Sequence, residues 1–107
     1  MNVVIINYNS GNVHSVENAL NRLGISPLLS DRPEEIIKAD KVIFPGVGEA
    51  STAMDFLQSR NLDQVIKGLK QPVFGVCLGL QLMCQHSAEN DTKCLGIFDV
   101  EVKKFDP

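Results

Sequence analysis

The stretch "PVFGVCLGLQLMCQH", residues 72–86, passes from a strand-like apolar run to apolar residues at helical spacing. Its centre, Gly75-Val76-Cys77-Leu78-Gly79, has the spacing of a nucleophile elbow, a sharp strand-to-helix turn. Glycines on both sides of the cysteine relieve crowding against neighbouring chain, and a helix start favours the reactive thiolate. The stretch therefore predicts either a nucleophilic Cys77 or a cysteine packed as a small hydrophobic residue.

The length of 107 residues indicates one domain at most, and the composition, 44% hydrophobic and 21% charged, is that of a globular chain. The net charge of −3 favours no nucleic-acid or anionic-membrane partner. No apolar run approaches ~20 residues, and "MNVVIINYN" lacks the basic flank of a signal peptide. The three cysteines and two histidines match no zinc spacing. We therefore expect a cytoplasmic protein with no metal, no cofactor and no membrane contact.

Strand-like and helical patterns alternate along the chain. Strands are predicted at 3–7, 25–30 and 72–77, and the segment 41–48 is predicted to be a strand that breaks into a glycine-rich loop. Residues 95–105 alternate between apolar and polar, which predicts a half-exposed strand or a hairpin arm. The first predicted helix begins near Val13 and is closed by Gly24. A short second helix follows Asp31, a possible cap, with Pro33 in its first turn. Residues 49–70 are predicted to form one or two helices, and a last helix runs from Leu78 to His86. This order predicts an α/β fold with a doubly wound, mainly parallel sheet and helices on both faces, as in flavodoxins.

A second loop, Pro45-Gly46-Val47-Gly48, leaves the sheet at the edge where the Cys77 turn is expected. Two glycines around Val47 allow the loop to present a backbone amide at an unusual angle. Taken alone, the segment could be an ordinary turn. Next to the elbow, it predicts an oxyanion hole made from the amides of Val47 and Leu78.

Three segments together resemble class I glutamine amidotransferases, over residue 1 to about residue 105: "VVIINYNSGNVHSVENAL", "FPGVGEASTAM" and "GVCLGLQLM". The first loop and the "PGVG" form are most similar to the histidine-biosynthetic branch, the glutaminase subunits of imidazole glycerol phosphate synthase. The resemblance implies that Cys77 attacks the side-chain amide of L-glutamine, and that Val47 and Leu78 hold the oxyanion. It also implies an ammonia-consuming cyclase subunit, a (β/α)8 barrel, as the partner.

The resemblance assigns further positions of this sequence. Substrate-binding positions of the family correspond to Gly46, Gly48, Gln81 and Glu89, and Asn12 corresponds to a position near the cyclase interface. Each of Gln81, Glu89 and Asn12 could equally be an ordinary surface or turn residue. Cys84 is predicted to lie in the core, and His14 on the surface.

The sequence departs from the family because no His-x-Glu occurs anywhere in it. The class completes its catalytic triad with that pair, so the chain corresponds to the N-terminal half of a domain, a truncated fold that we expect to be inactive alone. On a helix reaching His86, nine residues at ~1.5 Å each would hold the imidazole too far from Cys77 to act as its base. An unpaired sheet edge is also expected.

Two other interpretations stay open from the residues. One is a cysteine hydrolase of the DJ-1/PfpI type, which shares the sheet and elbow but is not expected to combine "PGVG" with Gln81. The other is a non-catalytic, flavodoxin-like interaction module in which Cys77 is structural.

Overall fold

The computed structural model describes residues 2–8, 13–46, 50–76, 78–84, 86–87, 92–97 and 101–102. Within them the chain forms strands and helices in this order: β1 (Val3–Ile6), α1 (Val13–Arg22), β2 (Leu28–Ser30), α2 (Pro33–Lys38), β3 (Lys41–Phe44), α3 (Ala50–Ser59), α4 (Leu62–Lys67), β4 (Val73–Gly75), α5 (Leu78–Leu82), β5 (His86–Ser87), β6 (Thr92–Lys93) and β7 (Glu101–Val102).

The main sheet is parallel, with strand order β2-β1-β3-β4. Strand β1 lies inside this sheet, and all four of its residues are buried, as its continuous apolar run predicts. One face packs against α1 through Val3, Ile5 and Val13. The other face, including Phe44, packs against α2, α3, α4 and α5. The predicted doubly wound parallel fold is therefore confirmed, and the carboxyl ends of β1, β3 and β4 meet at one edge.

Strand β4 is the last strand on its side of the described sheet, and Phe74 in it is 68% exposed. Its partner in the register is Ile43 of β3, on the face that α1 covers. On this face α1 packs over β1 and β2 and does not cover β4, so the ring of Phe74 is open to solvent. The unpaired edge expected from the sequence is thus present among the described residues.

A second, small sheet has the order β6-β5-β7, with β6 antiparallel and β7 parallel to β5. The prediction that α5 reaches His86 is wrong, because α5 ends at Leu82. Within the strand or hairpin arm predicted at 95–105, the described strand is β7, which pairs with β5 in this small sheet. The carbonyl of Leu82 accepts a hydrogen bond from the Leu95 amide at 2.8 Å. Gly96 bonds the Cys84 carbonyl in the same way, at 2.8 Å. The amides of Leu95 and Gly96 therefore occupy carbonyls that would accept hydrogen bonds within a longer α5.

The C-terminal end of α1 and the N-terminal end of α2 are stabilised by different local interactions. Gly24, at φ +81°, follows α1, and the amides of Gly24 and Ile25 return to carbonyls in the last turn, as the sequence predicts. The predicted Asp31 cap of α2 is wrong. The Ser30 hydroxyl accepts a hydrogen bond from the Arg32 amide at 3.0 Å and donates one to the Glu35 carboxylate at 2.7 Å. The buried serine at the end of β2 therefore provides the side-chain hydrogen bonds at the start of α2 that Asp31 was expected to provide.

Gln71 closes the other end of α2. Its side-chain amide nitrogen lies 3.0 Å from the Ile36 carbonyl, 3.2 Å from that of Ile37 and 3.1 Å from that of Ala39. We expect Gln71→Ala to lower the free energy of unfolding by about 1–2 kcal/mol, since the carbonyls at the end of α2 each lose the donor that Gln71 supplies. Urea denaturation measures this difference, and Gln64→Ala, an exposed glutamine on α4, serves as the matched control. Equal stability of the two variants would contradict the capping role.

Candidate functional site

The candidate site lies at the carboxyl edge of the main sheet, where chain leaving β3 and β4 is joined by backbone hydrogen bonds. The Val76 amide donates to the Phe44 carbonyl at 3.0 Å, and the Leu78 amide donates to the Gly46 carbonyl at 3.1 Å. The Gly79 amide then donates to the Val76 carbonyl at 2.9 Å, which closes the turn into α5. The predicted elbow and the start of the "PGVG" loop are therefore neighbours.

Both glycines of the elbow lie against other atoms. A side-chain carbon on Gly79 would overlap the carbonyl oxygen of Phe44 and lie 2.7 Å from its carbonyl carbon. On Gly75 it would lie 2.8 Å from the Leu80 Cα and 2.8 Å from the Met83 sulfur. The crowding predicted on each side of Cys77 is thus confirmed, because only a hydrogen fits at either position.

Leu78, one of the two predicted oxyanion donors, is buried, and its amide already has an acceptor within the protein. That acceptor is the carbonyl of Gly46, which belongs to the predicted oxyanion loop. A side-chain carbon on Gly46 would lie 3.0 Å from the Leu78 Cβ and 3.0 Å from the Gly79 nitrogen. The Leu78 amide can therefore bind an oxyanion only after the Gly46 carbonyl has moved away.

The other predicted site residues are placed as follows. Gln81 lies on α5, one turn beyond Leu78, and its side chain is exposed. The remaining predictions concern residues that lie outside the described part of the chain: Cys77, Val47, Gly48, Glu89 and Asn12.

The two described cysteines differ in exposure. Cys94 is buried, and burial raises the pKa of its thiol. The charge of a Cys84 thiolate adds a smaller upward contribution to that pKa, and a hydrogen bond with the Ser87 backbone a smaller downward one. Cys84 is only half-buried, which contradicts its predicted place in the core, because α5 ends before it. Its sulfur lies 3.6 Å from the Leu80 carbonyl oxygen.

Tyr8 is a residue of this site that the sequence analysis did not single out. Its hydroxyl donates a hydrogen bond to the Pro45 carbonyl, and its ring centroid lies 5.3 Å from that of Phe44. The side chain is buried, and burial raises the pKa of the phenol far above its ordinary value, so the hydroxyl stays a donor. The available signal was its position: the only tyrosine of the sequence comes two residues after β1, at the carboxyl edge of the main sheet.

The described residues contain neither a metal-binding cluster nor a helix able to span a membrane. No group of three histidine, cysteine, aspartate or glutamate side chains within them is arranged to hold a metal ion. None of the described helices has the length and apolar content needed to cross a membrane.

Comparison with solved structures supports the fold assignment. A crystal structure described as a glutamine amidotransferase aligns with 94% of this chain and 55% of its own, with a TM-score of 0.79 and 21% identity. A crystal structure of a peptidase E protein from Listeria monocytogenes aligns with 92% of this chain and 63% of its own, with a TM-score of 0.74 and 16% identity. The sheet and its glycine-flanked turn have the fold of class I glutamine amidotransferases.

Sequence comparison defines the family more closely. The model of the SNO glutamine amidotransferase family matches residues 8–106, and the chain belongs to that family. The resemblance inferred from the three quoted segments is therefore confirmed. The two alternative interpretations, a DJ-1/PfpI-type hydrolase and a non-catalytic module, are not favoured.

Curated relatives carry the name imidazole glycerol phosphate synthase subunit HisH. The Bacteroides thetaiotaomicron protein is 55% identical over 107 residues, and that of Bacteroides fragilis strain YCH46 is 53% identical over 107 residues. The Idiomarina loihiensis protein is 46% identical over 105 residues. The chain spans 55%, 55% and 54% of these relatives, about half of their length.

Proposed function

We propose that this chain supplies the nucleophile and oxyanion part of a cytoplasmic glutaminase. The enzyme hydrolyses L-glutamine to glutamate and ammonia, and its partner is a (β/α)8-barrel cyclase that uses the ammonia to form imidazole glycerol phosphate in histidine biosynthesis. The observation that supports this most is the contact between Gly79 and the Phe44 carbonyl, which fits a nucleophile turn against the loop after β3. The relatives named HisH support the histidine branch.

The proposed chemistry begins with the Cys77 thiolate, whose sulfur forms a bond to the amide carbon of glutamine while the carbonyl electrons move onto oxygen. The amides of Val47 and Leu78 stabilise that oxyanion. Collapse of the intermediate breaks the carbon–nitrogen bond, and the nitrogen takes a proton and leaves as ammonia. Water then attacks the thioester, which releases glutamate and regenerates the thiolate.

Substrate positioning is proposed for Gly46, Gly48, Gln81 and Glu89, and contact with the cyclase for Asn12. The exposed side chain of Gln81, one turn beyond Leu78, is compatible with reaching a ligand at the sheet edge. The 3.1 Å hydrogen bond from the Leu78 amide to the Gly46 carbonyl supports an idle state in which one oxyanion donor is occupied. Substrate or partner binding would then have to displace that carbonyl before glutamine could be attacked efficiently.

The reactivity of the three thiols tests the assignment of the nucleophile. We expect Cys77 to react fastest with iodoacetamide at neutral pH, because Cys94 is buried with a raised pKa and Cys84 is half-buried. The order Cys77, Cys84, Cys94 can be measured by timed alkylation followed by peptide mass mapping.

A glutamine analogue sharpens this test. A chloromethyl ketone analogue of glutamine should label Cys77 and spare Cys84, and free L-glutamine should slow the labelling by competing for the same site. Cys84→Ala is the matched control and should leave the labelling rate unchanged. Labelling that favours Cys84, or that glutamine does not slow, would count against the proposed glutaminase site.

A further inference from the structure

Tyr8 connects the end of β1 to the loop that holds the Leu78 amide. Its hydroxyl bonds the Pro45 carbonyl, and the next carbonyl along the chain, that of Gly46, accepts from Leu78 at 3.1 Å. The hydroxyl also lies against Gly46, where an added side-chain carbon would overlap it. Tyr8, Pro45 and Gly46 are all buried, so solvent water does not readily replace these contacts.

We infer that Tyr8 is a positioning residue for the proposed glutaminase reaction: its hydroxyl fixes the Pro45 carbonyl and thereby keeps the Gly46 carbonyl on the Leu78 amide. This inference rests on the proposed function for its catalytic meaning, whereas the mechanical link stands on the described contacts. Tyr8 sets how often the Leu78 donor is free and takes no part in the chemistry itself.

The link works through the backbone. The proline ring fixes φ at Pro45, and the bond from Tyr8 fixes the direction of its carbonyl. Rotation at Gly46, where glycine offers little steric resistance, is then the main freedom left to the Gly46 carbonyl. Without the phenol hydroxyl, the buried Pro45 carbonyl would lose its donor and turn toward another, carrying Gly46 with it.

Ring packing holds the tyrosine in place independently of the hydroxyl. The Tyr8 and Phe44 rings lie 5.3 Å apart at 58°, a tilted geometry that favours aromatic contact. Tyr8→Phe therefore removes the hydrogen bond and keeps the packing. The substitution separates positioning from core stability.

Amide hydrogen exchange measured by NMR on the purified protein tests the link without any enzymatic assay. In Tyr8→Phe, exchange of the Leu78 amide should accelerate ~2- to 10-fold, the range for losing one neutral hydrogen bond. The Val76 and Gly79 amides serve as internal controls. They donate to the carbonyls of Phe44 and Val76, which the Tyr8 hydroxyl does not contact, and their exchange should not change.

Two results would overturn the inference. Unchanged Leu78 exchange would mean that the hydroxyl does not hold the loop, and an equal acceleration of all three amides would mean that it only stabilises the region. If Tyr8→Phe does not fold, 3-fluorotyrosine offers a second variant, because this chain has one tyrosine and only that position is replaced. The more acidic fluorophenol is a stronger donor and should slow Leu78 exchange, and unchanged or faster exchange would again contradict the link.

The chloromethyl ketone analogue of glutamine connects the link to the proposed reaction. The Cys77 sulfur displaces chloride, a carbon–sulfur bond forms, and the thiol proton passes to solvent. Tyr8→Phe should accelerate this labelling ~2- to 10-fold, because the Leu78 amide is free more often to stabilise the charge on the ketone oxygen.

Labelling of Cys77 by iodoacetamide, which forms no oxyanion, should stay unchanged in the same variant, and buried Cys94 should remain the slowest of the three thiols. Together, the exchange of the Leu78 amide and the labelling by the glutamine analogue distinguish a failure of the inference about Tyr8 from a failure of the proposed function. Faster Leu78 exchange without any analogue labelling would keep Tyr8 as a loop anchor and reject the glutaminase site. Unchanged Leu78 exchange rejects the role of Tyr8, whatever the analogue does.

Discussion

Replacing Gly79 with alanine is expected to lower the free energy of unfolding by about 3 kcal/mol or more, the upper end for over-packing. The added methyl group would overlap the Phe44 carbonyl oxygen. That oxygen also accepts the Val76 amide and belongs to β3, which is paired on both sides, so it cannot move without disturbing the sheet. Equilibrium urea unfolding, followed by circular dichroism, measures the loss.

Gly68→Ala is the matched control. Gly68 has φ −88°, which any residue adopts, and the nearest atoms to an added carbon there are 3.5 and 3.7 Å away. Its stability should stay within about 0.5 kcal/mol of the unmodified protein. If Gly79→Ala proved as stable as Gly68→Ala, the close approach of the turn to β3 would be wrong, and with it the structural basis of the elbow.

The parts of the fold that could be predicted from the sequence are those set by local pattern and by the burial of whole strands. The run at β1 has no polar residue, and a strand covered on both faces is the arrangement that suits it. Gly24 could be predicted as a helix terminator because its left-handed backbone geometry is available to glycine at little cost.

The incorrect predictions concern segments whose structure depends on contacts with residues distant in the sequence. The apolar spacing after Leu78 favours a helix to His86, but Leu95 and Gly96 occupy carbonyls that a longer helix would use. Competition of this kind depends on which segment returns to the helix end, and periodicity does not contain that information. For the same reason the residues of β5 and β7 could not be assigned to a separate sheet.

The candidate site shows the same division. The glycines around Cys77 could be explained in advance, because an elbow of this spacing has a known steric requirement. Tyr8 could not, since its role comes from a hydrogen bond to Pro45, 37 positions away in sequence. The occupied Leu78 amide likewise depends on a contact between two loops, although the flexibility at Gly46 that permits it is visible in the sequence.

Glutamine turnover by the 107 residues alone is expected to be slower by ~10²–10⁴-fold than turnover by a protein that also supplies the His-x-Glu pair of the class, even with the cyclase added. The proposed nucleophile, Cys77, needs a group that takes its proton, protonates the departing ammonia and activates the hydrolytic water. No His-x-Glu occurs in the sequence, and its two histidines are His14 and His86. His14 is 79% exposed on α1, and its ring nitrogen lies 3.3 Å from the Glu17 carboxylate.

His86 needs its own control, because the expectation that a continuous helix would hold it away from Cys77 is wrong. It lies in β5, opposite Lys93, and His86→Asn should leave any residual activity unchanged.

Steady-state release of glutamate and ammonia is the measurement, with Cys77→Ala in the longer protein as the inactive reference. Weak labelling by the chloromethyl ketone analogue without turnover is the expected pattern for the short chain, since displacement of chloride needs the nucleophile more than the base. Substantial turnover that disappears in His86→Asn would instead make β5 the source of the base, and the nucleophile and its base would then both lie within these 107 residues.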